Sequence, residues 1–301
     1  MRESLHKLIN NTLLLHYRLP VNVNGKVIPR SHISTYSDHC LKQIGSDDDI
    51  ARIIYNGVVE YAYNDNEIIL SDLDNLQIRA LQSKLKYNPI APHKNKLAYG
   101  FQGEVLLHLI IEHFYHAYKA IARGYMYSPL ENQETKGYDS YLMVERDGYI
   151  YLWFGEAKFY INGYKSSLDA LFVNIDKALS DEYLNRNFVA LDNHYEKIDP
   201  LSRIPNIIDV WRKNPLINMA VEAKHYNMHL VYPMLIIFDD KADTYEELIF
   251  EVINHLQTYG PVSPGLTIPH DLFFIFLPVN NSRNIKTKVL QWISQKLPLM
   301  P

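Results

Sequence analysis

The stretch Gly137 to Lys158 reads Gly-Tyr-Asp-Ser-Tyr-Leu-Met-Val-Glu-Arg-Asp-Gly-Tyr-Ile-Tyr-Leu-Trp-Phe-Gly-Glu-Ala-Lys, and it constrains the fold more than any other part of the chain. Two runs rich in Tyr, Val, Ile, Trp and Phe flank Asp147-Gly148, the dipeptide best suited to a two-residue type I′ turn, so the pattern predicts one β-hairpin. Placing Arg146 opposite Tyr149 fixes the register and sets Asp139 across from Glu156. Directly opposed side chains lie roughly 5 Å apart at Cβ, and Lys158, two residues on, points to the same face. Two carboxylates at that distance repel unless they share a proton or a cation. Asp139, Glu156 and Lys158 are therefore a candidate site for a hard, oxygen-seeking ion such as Mg²⁺. In this register Gly137 faces Lys158 without obstructing it, and Gly155 leaves room on the other face. A single β-bulge would carry Asp139 off that face.

The hairpin predicts two apolar faces. Tyr141, Met143, Leu152 and Phe154 share the side of the carboxylates, while Leu142, Val144, Tyr151 and Trp153 occupy the other. Later in the chain Leu230 to Phe238 reads as a fully buried strand, followed by helical spacing over Thr244 to Thr258. Asp271 to Leu277 reads as another strand, bounded by Pro278, before an amphipathic helix over Ile285 to Leu297. This alternation indicates an α/β protein with a mixed central β-sheet flanked by helices on both faces.

Ahead of the hairpin, residues 1–95 read as an N-terminal elaboration of strand plus helices, with residues 96–301 as the main domain. Thr12 to Val23 reads as a strand, Asn24-Gly25 as a turn, and Ile28 to Ile44 has no clear period. Ser46-Asp47-Asp48-Asp49 marks a helix start, its acids near the positive end of the dipole, and Leu73 to Leu85 a further helix. Gly100 to Arg123 carries a strong helical pattern with Gly124 as its stop. Glu104 in its first turn reads either as compensation of the helix dipole or as a ligand projected beside His108, one turn on. His108, His113 and His116 lack the spacing of a zinc-protease helix and read as structural. After the hairpin Ser166 or Ser167 can cap a helix to about Leu179, and residues 185–227 read as short helices and loops.

At 301 residues, 47 % of them apolar, the chain can bury a substantial core. The sequence holds no run of about 18 apolar residues to span a bilayer and no secretion-signal layout at Met1 to Lys7, so the expectation is a soluble protein with no membrane association. Cys40 is the only cysteine, which excludes an internal disulfide and argues for a reducing cytoplasm. A net charge of −4 argues against coating nucleic acid by bulk electrostatics. Lys84, Lys86, Lys94 and Lys96, with no acid from Gln82 to Phe101 and with Tyr87 and Tyr99 interspersed, either track a phosphate backbone or form a solvated loop.

An acid-x-Lys triplet is a weak motif, and the chain contains four. Glu134 with Lys136 lies in a polar approach to the hairpin. Glu222 with Lys224 follows a helical pattern, where residues two apart diverge, and Asp239 with Lys241 has no opposed acid. Only Glu156 with Lys158 has a register-matched partner, Asp139.

With Glu104 on the preceding helix, this set resembles the core of the PD-(D/E)xK nuclease superfamily, a restriction-endonuclease-like fold. Gly103-Glu104-Val-Leu-Leu-His, Gly137-Tyr-Asp139 and Trp153-Phe-Gly-Glu156-Ala-Lys158-Phe are similar to the HamA family, the nuclease-like subunit of Hachiman antiphage defence systems. The similarity spans roughly Tyr99 to Lys165, and Tyr138 stands where the superfamily motif nominally has Pro. The resemblance implies a Mg²⁺-dependent deoxyribonuclease, with Mn²⁺ able to substitute, paired with a helicase subunit (HamB) that holds or directs it on a DNA substrate. Asp139 and Glu156 would hold the cation, Lys158 would orient water or stabilise transition-state charge, and Glu104 would complete the metal shell or bind a second ion. Two alternatives stay open: a catalytically idle nuclease-fold subunit that regulates a helicase, and a restriction-type endonuclease acting alone.

Overall fold

The computed structural model describes residues 1–15, 22–23, 26–27, 41–128, 133–134, 137–161, 163–214, 216–240, 244–256, 258–259 and 265–301. Before the hairpin lie α1 (Glu3–Thr12), β1 (Leu13–Leu14), β2 (Asn22–Val23), β3 (Lys26–Val27), β4 (Lys42–Gln43), α2 (Asp47–Ala62), α3 (Leu73–Ser83), α4 (His93–Leu97) and α5 (Phe101–Tyr115). Then come β5 (Tyr118–Lys119), β6 (Tyr127–Ser128), β7 (Gln133–Glu134), β8 (Leu142–Arg146), β9 (Tyr149–Trp153) and β10 (Glu156–Phe159). The remainder forms α6 (Tyr164–Phe172), α7 (Ile175–Ala178), α8 (Asp181–Asn193), α9 (Ile204–Trp211), α10 (Met219–Glu222), β11 (Met228–Asp239), α11 (Tyr245–Leu256), β12 (His270–Val279) and α12 (Ser282–Gln295).

The hairpin organises the sheet. Asp147 and Gly148 both take positive φ, 54° and 80°, as a type I′ turn requires, and β8 pairs antiparallel with β9 from Arg146↔Tyr149 to Leu142↔Trp153, the register expected. On its other edge β9 pairs parallel with β11 (Ile150↔Met228 to Trp153↔Val231), and β10 continues along the same strand with the same offset (Glu156↔Met234 to Phe159↔Ile237). Thus β9 and β10 are two halves of one strand, interrupted at Phe154-Gly155 where Tyr232-Pro233 passes. Pro233 has no N–H to give the ladder. A Cβ on Gly155 would meet Pro233 O at 2.2 Å and its ring carbons at 2.4 and 2.8 Å, so the room left by this glycine is filled by β11. β12 pairs parallel with β11 on its far side and β5 pairs antiparallel with β8, giving a mixed sheet.

Helices cover both faces, as the two-faced hairpin predicts. Met143, Leu152, Phe154, Tyr232 and Met234 pack with α6, α8, α9 and α11. Leu142, Trp153, Val231 and Leu235 pack with α1, α2, α3, α5 and α12, so residues ahead of 95 share a continuous apolar layer with the sheet. α2 starts as read: Ser46 Oγ accepts from Asp49 N at 3.2 Å, and the Asp49 carboxylate accepts from Ser46 N at 3.0 Å. Ser46→Ala removes this capping box and is expected to cost about 1 kcal/mol of stability in denaturant melts.

Several boundaries differ from the sequence reading. The helix expected over Gly100 to Arg123 stops at Tyr115, because His116 turns left-handed at φ 52°; Gly124 is not its stop. The helix expected from Ser166 or Ser167 starts at Tyr164, after Gly163 at φ 90°, and breaks at Val173-Asn174. β12 runs through Pro278, which pairs with Phe238 instead of ending the strand. Thr12 closes α1, a helix the sequence reading missed, and among the described residues of the strand expected there Leu13–Leu14 and Asn22–Val23 are strand. Asn24-Gly25, Cys40 and most of Ile28 to Ile44 lie outside the described residues. Among the described residues no helix is long and apolar enough to cross a membrane.

Candidate active site

Past Leu142↔Trp153 the hairpin leaves its ladder. The Ser140 hydroxyl donates to Trp153 O at 3.1 Å and accepts from Gly155 N at 3.0 Å. Asp139 N donates to Gly155 O at 2.8 Å, one residue out of the register that holds over β8 and β9. A bulge of this kind was expected to move Asp139 away from Glu156. It does not, because Asp139 Oδ2 accepts from Ala157 N at 2.9 Å, which holds the carboxylate at the start of β10. Gly137 does not face Lys158: a Cβ there would fall 2.2 Å from Tyr141 Oη and 2.6 Å from Asn187 Oδ1, so it makes way for that buried pair.

Glu156 and Lys158 leave the same face of β10, as residues two apart on a strand must, and form an ion pair with side chains 23 % and 19 % exposed. Tyr232 Oη, from β11, donates to Glu156 Oε2 at 2.9 Å. Burial and then the Glu156 charge raise the Tyr232 hydroxyl well above the usual tyrosine range, so it stays a donor. Burial first, and then the negative charge of Glu156, push the Asp139 carboxyl up to about 7, against the Ala157 N–H, Arg123 and Lys158, which lower it. For Lys158 burial works against the charged form, but Glu156 and Asp139 outweigh it and raise the ammonium above the lysine range. The pair of acids is held together at an electrostatic cost, which a bound cation would relieve.

Glu104 sits in the first turn of α5, where a negative charge is favoured, is 7 % exposed, and accepts a hydrogen bond from Tyr61 Oη of α2. It lines one cleft of about 740 Å³ together with Asp139, Glu156 and Lys158. Among the described residues no three Asp, Glu, His or Cys side chains are grouped as a metal-binding cluster. Asp139 and Glu156 nonetheless suit Mg²⁺, which commonly takes one or two carboxylates and keeps water or phosphate oxygens as its other ligands. His108, next to Glu104 on the helix, is turned to Glu112 at 3.3 Å, and burial lowers its pKa.

The lysine run divides. Lys94, on α4, lines the cleft. Lys84 lies over the Tyr125 ring at 3.5 Å and the Tyr63 ring at 5.0 Å, where burial pulls its pKa down, and Lys96 donates to Pro89 O at 2.6 Å. Lys86 is exposed and does not line the cleft. The sequence reading missed Tyr232, Arg283 and Lys286. Arg283 and Lys286 reach the cleft from α12, and Lys286, 3 % exposed, donates to Leu97 O at 3.0 Å and Tyr99 O at 3.5 Å, with burial lowering it to about 8. Nothing in the local pattern marks these residues, since their partners lie far along the chain. Of the competing triplets, Glu222 accepts from His225 at 3.0 Å, and Asp239 caps α12 through Ser282 N at 2.6 Å; Lys136 and Lys241 lie outside the described residues.

Fold and cleft together define an α/β protein whose mixed sheet presents an Asp, a Glu and a Lys around one interrupted strand, beneath a helix that adds a further Glu. A model of the HamA family matches residues 16–293, and the chain belongs to that family, which places it in Hachiman antiphage defence. Neither a curated protein nor a solved structure matches the chain.

Proposed function

We propose that this protein is a metal-dependent deoxyribonuclease with a PD-(D/E)xK core, the effector of its defence system, held or directed by a helicase partner. The observation that carries the reading is the convergence of Asp139, Glu156 and Lys158 on one cleft, with Asp139 raised to about 7. Asp139 and Glu156 would hold Mg²⁺, or Mn²⁺ in its place. The cation, when bound, supplies Lewis acidity to a phosphodiester and acidifies water. The chain's own groups do the rest. Tyr232 fixes the Glu156 carboxylate by its hydrogen bond, the Ala157 N–H fixes Asp139, and the Lys158 ammonium places positive charge where a pentavalent phosphate would build up negative charge. Glu104, held by Tyr61, adds a further negative group on the α5 side of the cleft.

The test is loss of supercoiled plasmid with purified protein, in Mg²⁺ or EDTA, alone and with a helicase partner. Glu156→Ala, shown to be folded, is expected to lower the metal-dependent rate by about 100-fold or more. Undiminished cutting by the variant would move the site elsewhere in the chain.

One observation favours a second reading. Glu156 is already compensated by Lys158 and Tyr232, an arrangement that needs no metal to be satisfied. A catalytically idle subunit that binds and regulates a helicase would keep phage protection in Glu156→Ala, whereas the nuclease would lose it.

A further inference from the structure

We propose that the cleft accepts a single unpaired DNA strand, with Arg283 and Lys94 binding backbone phosphates beside the scissile one and Tyr160 stacking on a base. The inference rests on the nuclease reading and narrows its substrate.

Arg283 and Lys94 come from α12 and α4, line the cleft that holds Asp139, Glu156 and Lys158, and are exposed. Among the described residues neither has a carboxylate partner. Neighbouring cations are used within the fold: Lys288 pairs with Asp48, and Lys96 holds Pro89 O. Lys286 ties α12 to the end of α4 through Leu97 O and Tyr99 O, so Arg283 and Lys94 belong to one braced wall. Two cations supported in this way and turned to a cleft with an acidic side suit a ligand that carries several negative charges along its length.

Size and aromatic content select the form of that ligand. About 740 Å³ lies in the range of small-molecule sites, roughly 300–1,000 Å³, and holds a nucleotide or two within the walls of the cleft. Tyr160, two residues past Lys158, is 40 % exposed at the cleft, with Tyr99 on the α4 side. A duplex keeps its base faces stacked on one another, whereas an unpaired strand offers them to a ring, and a basic groove with aromatic platforms is the usual means of holding single strands.

The test uses Glu156→Gln protein in EDTA, to keep the substrate uncut, and fluorescence anisotropy with a labelled single-stranded oligonucleotide and a blunt duplex of equal length. Binding of the single strand is expected to be at least about tenfold tighter than that of the duplex. Adding Arg283→Gln and Lys94→Gln should reduce the slope of log affinity against log salt by about 1.4, the value for two phosphates of a single strand. Tyr160→Ala should weaken single-strand binding about tenfold while Tyr160→Phe retains it. Equal or tighter duplex binding, or an unchanged salt slope in the double variant, overturns the proposal. The two readings fail separately. A strand bound in this way beside a plasmid left intact by the unmutated protein in Mg²⁺ removes the nuclease, and a degraded plasmid with duplex preferred removes only the single-strand substrate.

Discussion

Asp139→Asn is expected to yield a protein that is inactive and yet more stable than the parent at pH 8. The folded carboxyl is pushed up to about 7, against about 3.8 for an unperturbed group, by its partial burial and then by the charge of Glu156. A raised pKa means that the folded state binds the proton more tightly than the unfolded one, so the neutral carboxyl contributes its full stability below about pH 4. That contribution is lost as pH rises through 7. Asn stays neutral throughout and can still accept the Ala157 N–H. The whole shift would correspond to about 4 kcal/mol, but the cleft is open to solvent and Glu156 shares the charge, so a gain of about 1–2 kcal/mol is expected at pH 8. The gain should shrink toward pH 5. Denaturant melts in EDTA at both pH values measure it; a variant less stable than the parent at pH 8 would show that the ionised Asp139 is not a burden to the fold. Sites that gather like charge for chemistry commonly carry such a stability cost.

Gly155→Ala is expected to have the larger structural effect. The added Cβ would lie 2.2 Å from Pro233 O, a backbone atom at the centre of β11 that cannot swing aside. β11 would have to retreat, loosening the pairing of β9 and β10 with it and drawing Tyr232 from Glu156. We expect a loss of about 3 kcal/mol or more, with plasmid cutting abolished even where the chain still folds. Combining it with Pro233→Ala removes the ring contacts and leaves the carbonyl, so the double variant should remain strongly destabilised. Recovery of parental stability in the double variant would locate the strain in the ring.

The hairpin was legible because its determinants are local. Asp147-Gly148 sets the turn, the alternation of Tyr141 to Phe154 sets both faces, and β11, α11 and α12 followed from apolar spacing within their own segments. What lay beyond reach was set by distant parts of the chain. Nothing near Gly155 announces that Pro233 will pass against it, and nothing near Gly137 announces Asn187. The α5 boundary failed for a related reason: residues 117–122 are as apolar as the helix before them, and only the left-handed turn at His116 separates the two. Asp139, Glu156 and Lys158 were named from an ideal register that a bulge then broke, and they remain adjacent because the Ala157 N–H recaptures the carboxylate. The expected facing of Gly137 and Lys158, which had no such recapture, did not survive.

The division of one strand between two pairing partners also sets an order of events during synthesis. β8 and β9 are joined by a two-residue turn and can close as soon as both have left the ribosome, whereas β11 is made only after α6 to α10. Until then Glu156 lacks Tyr232, and β10 has no parallel neighbour to align it. A nascent chain, or one truncated ahead of Met228, therefore carries the whole acid, acid, lysine motif without the site. For a protein proposed to cut DNA, the motif is therefore made well before the strand that completes its site.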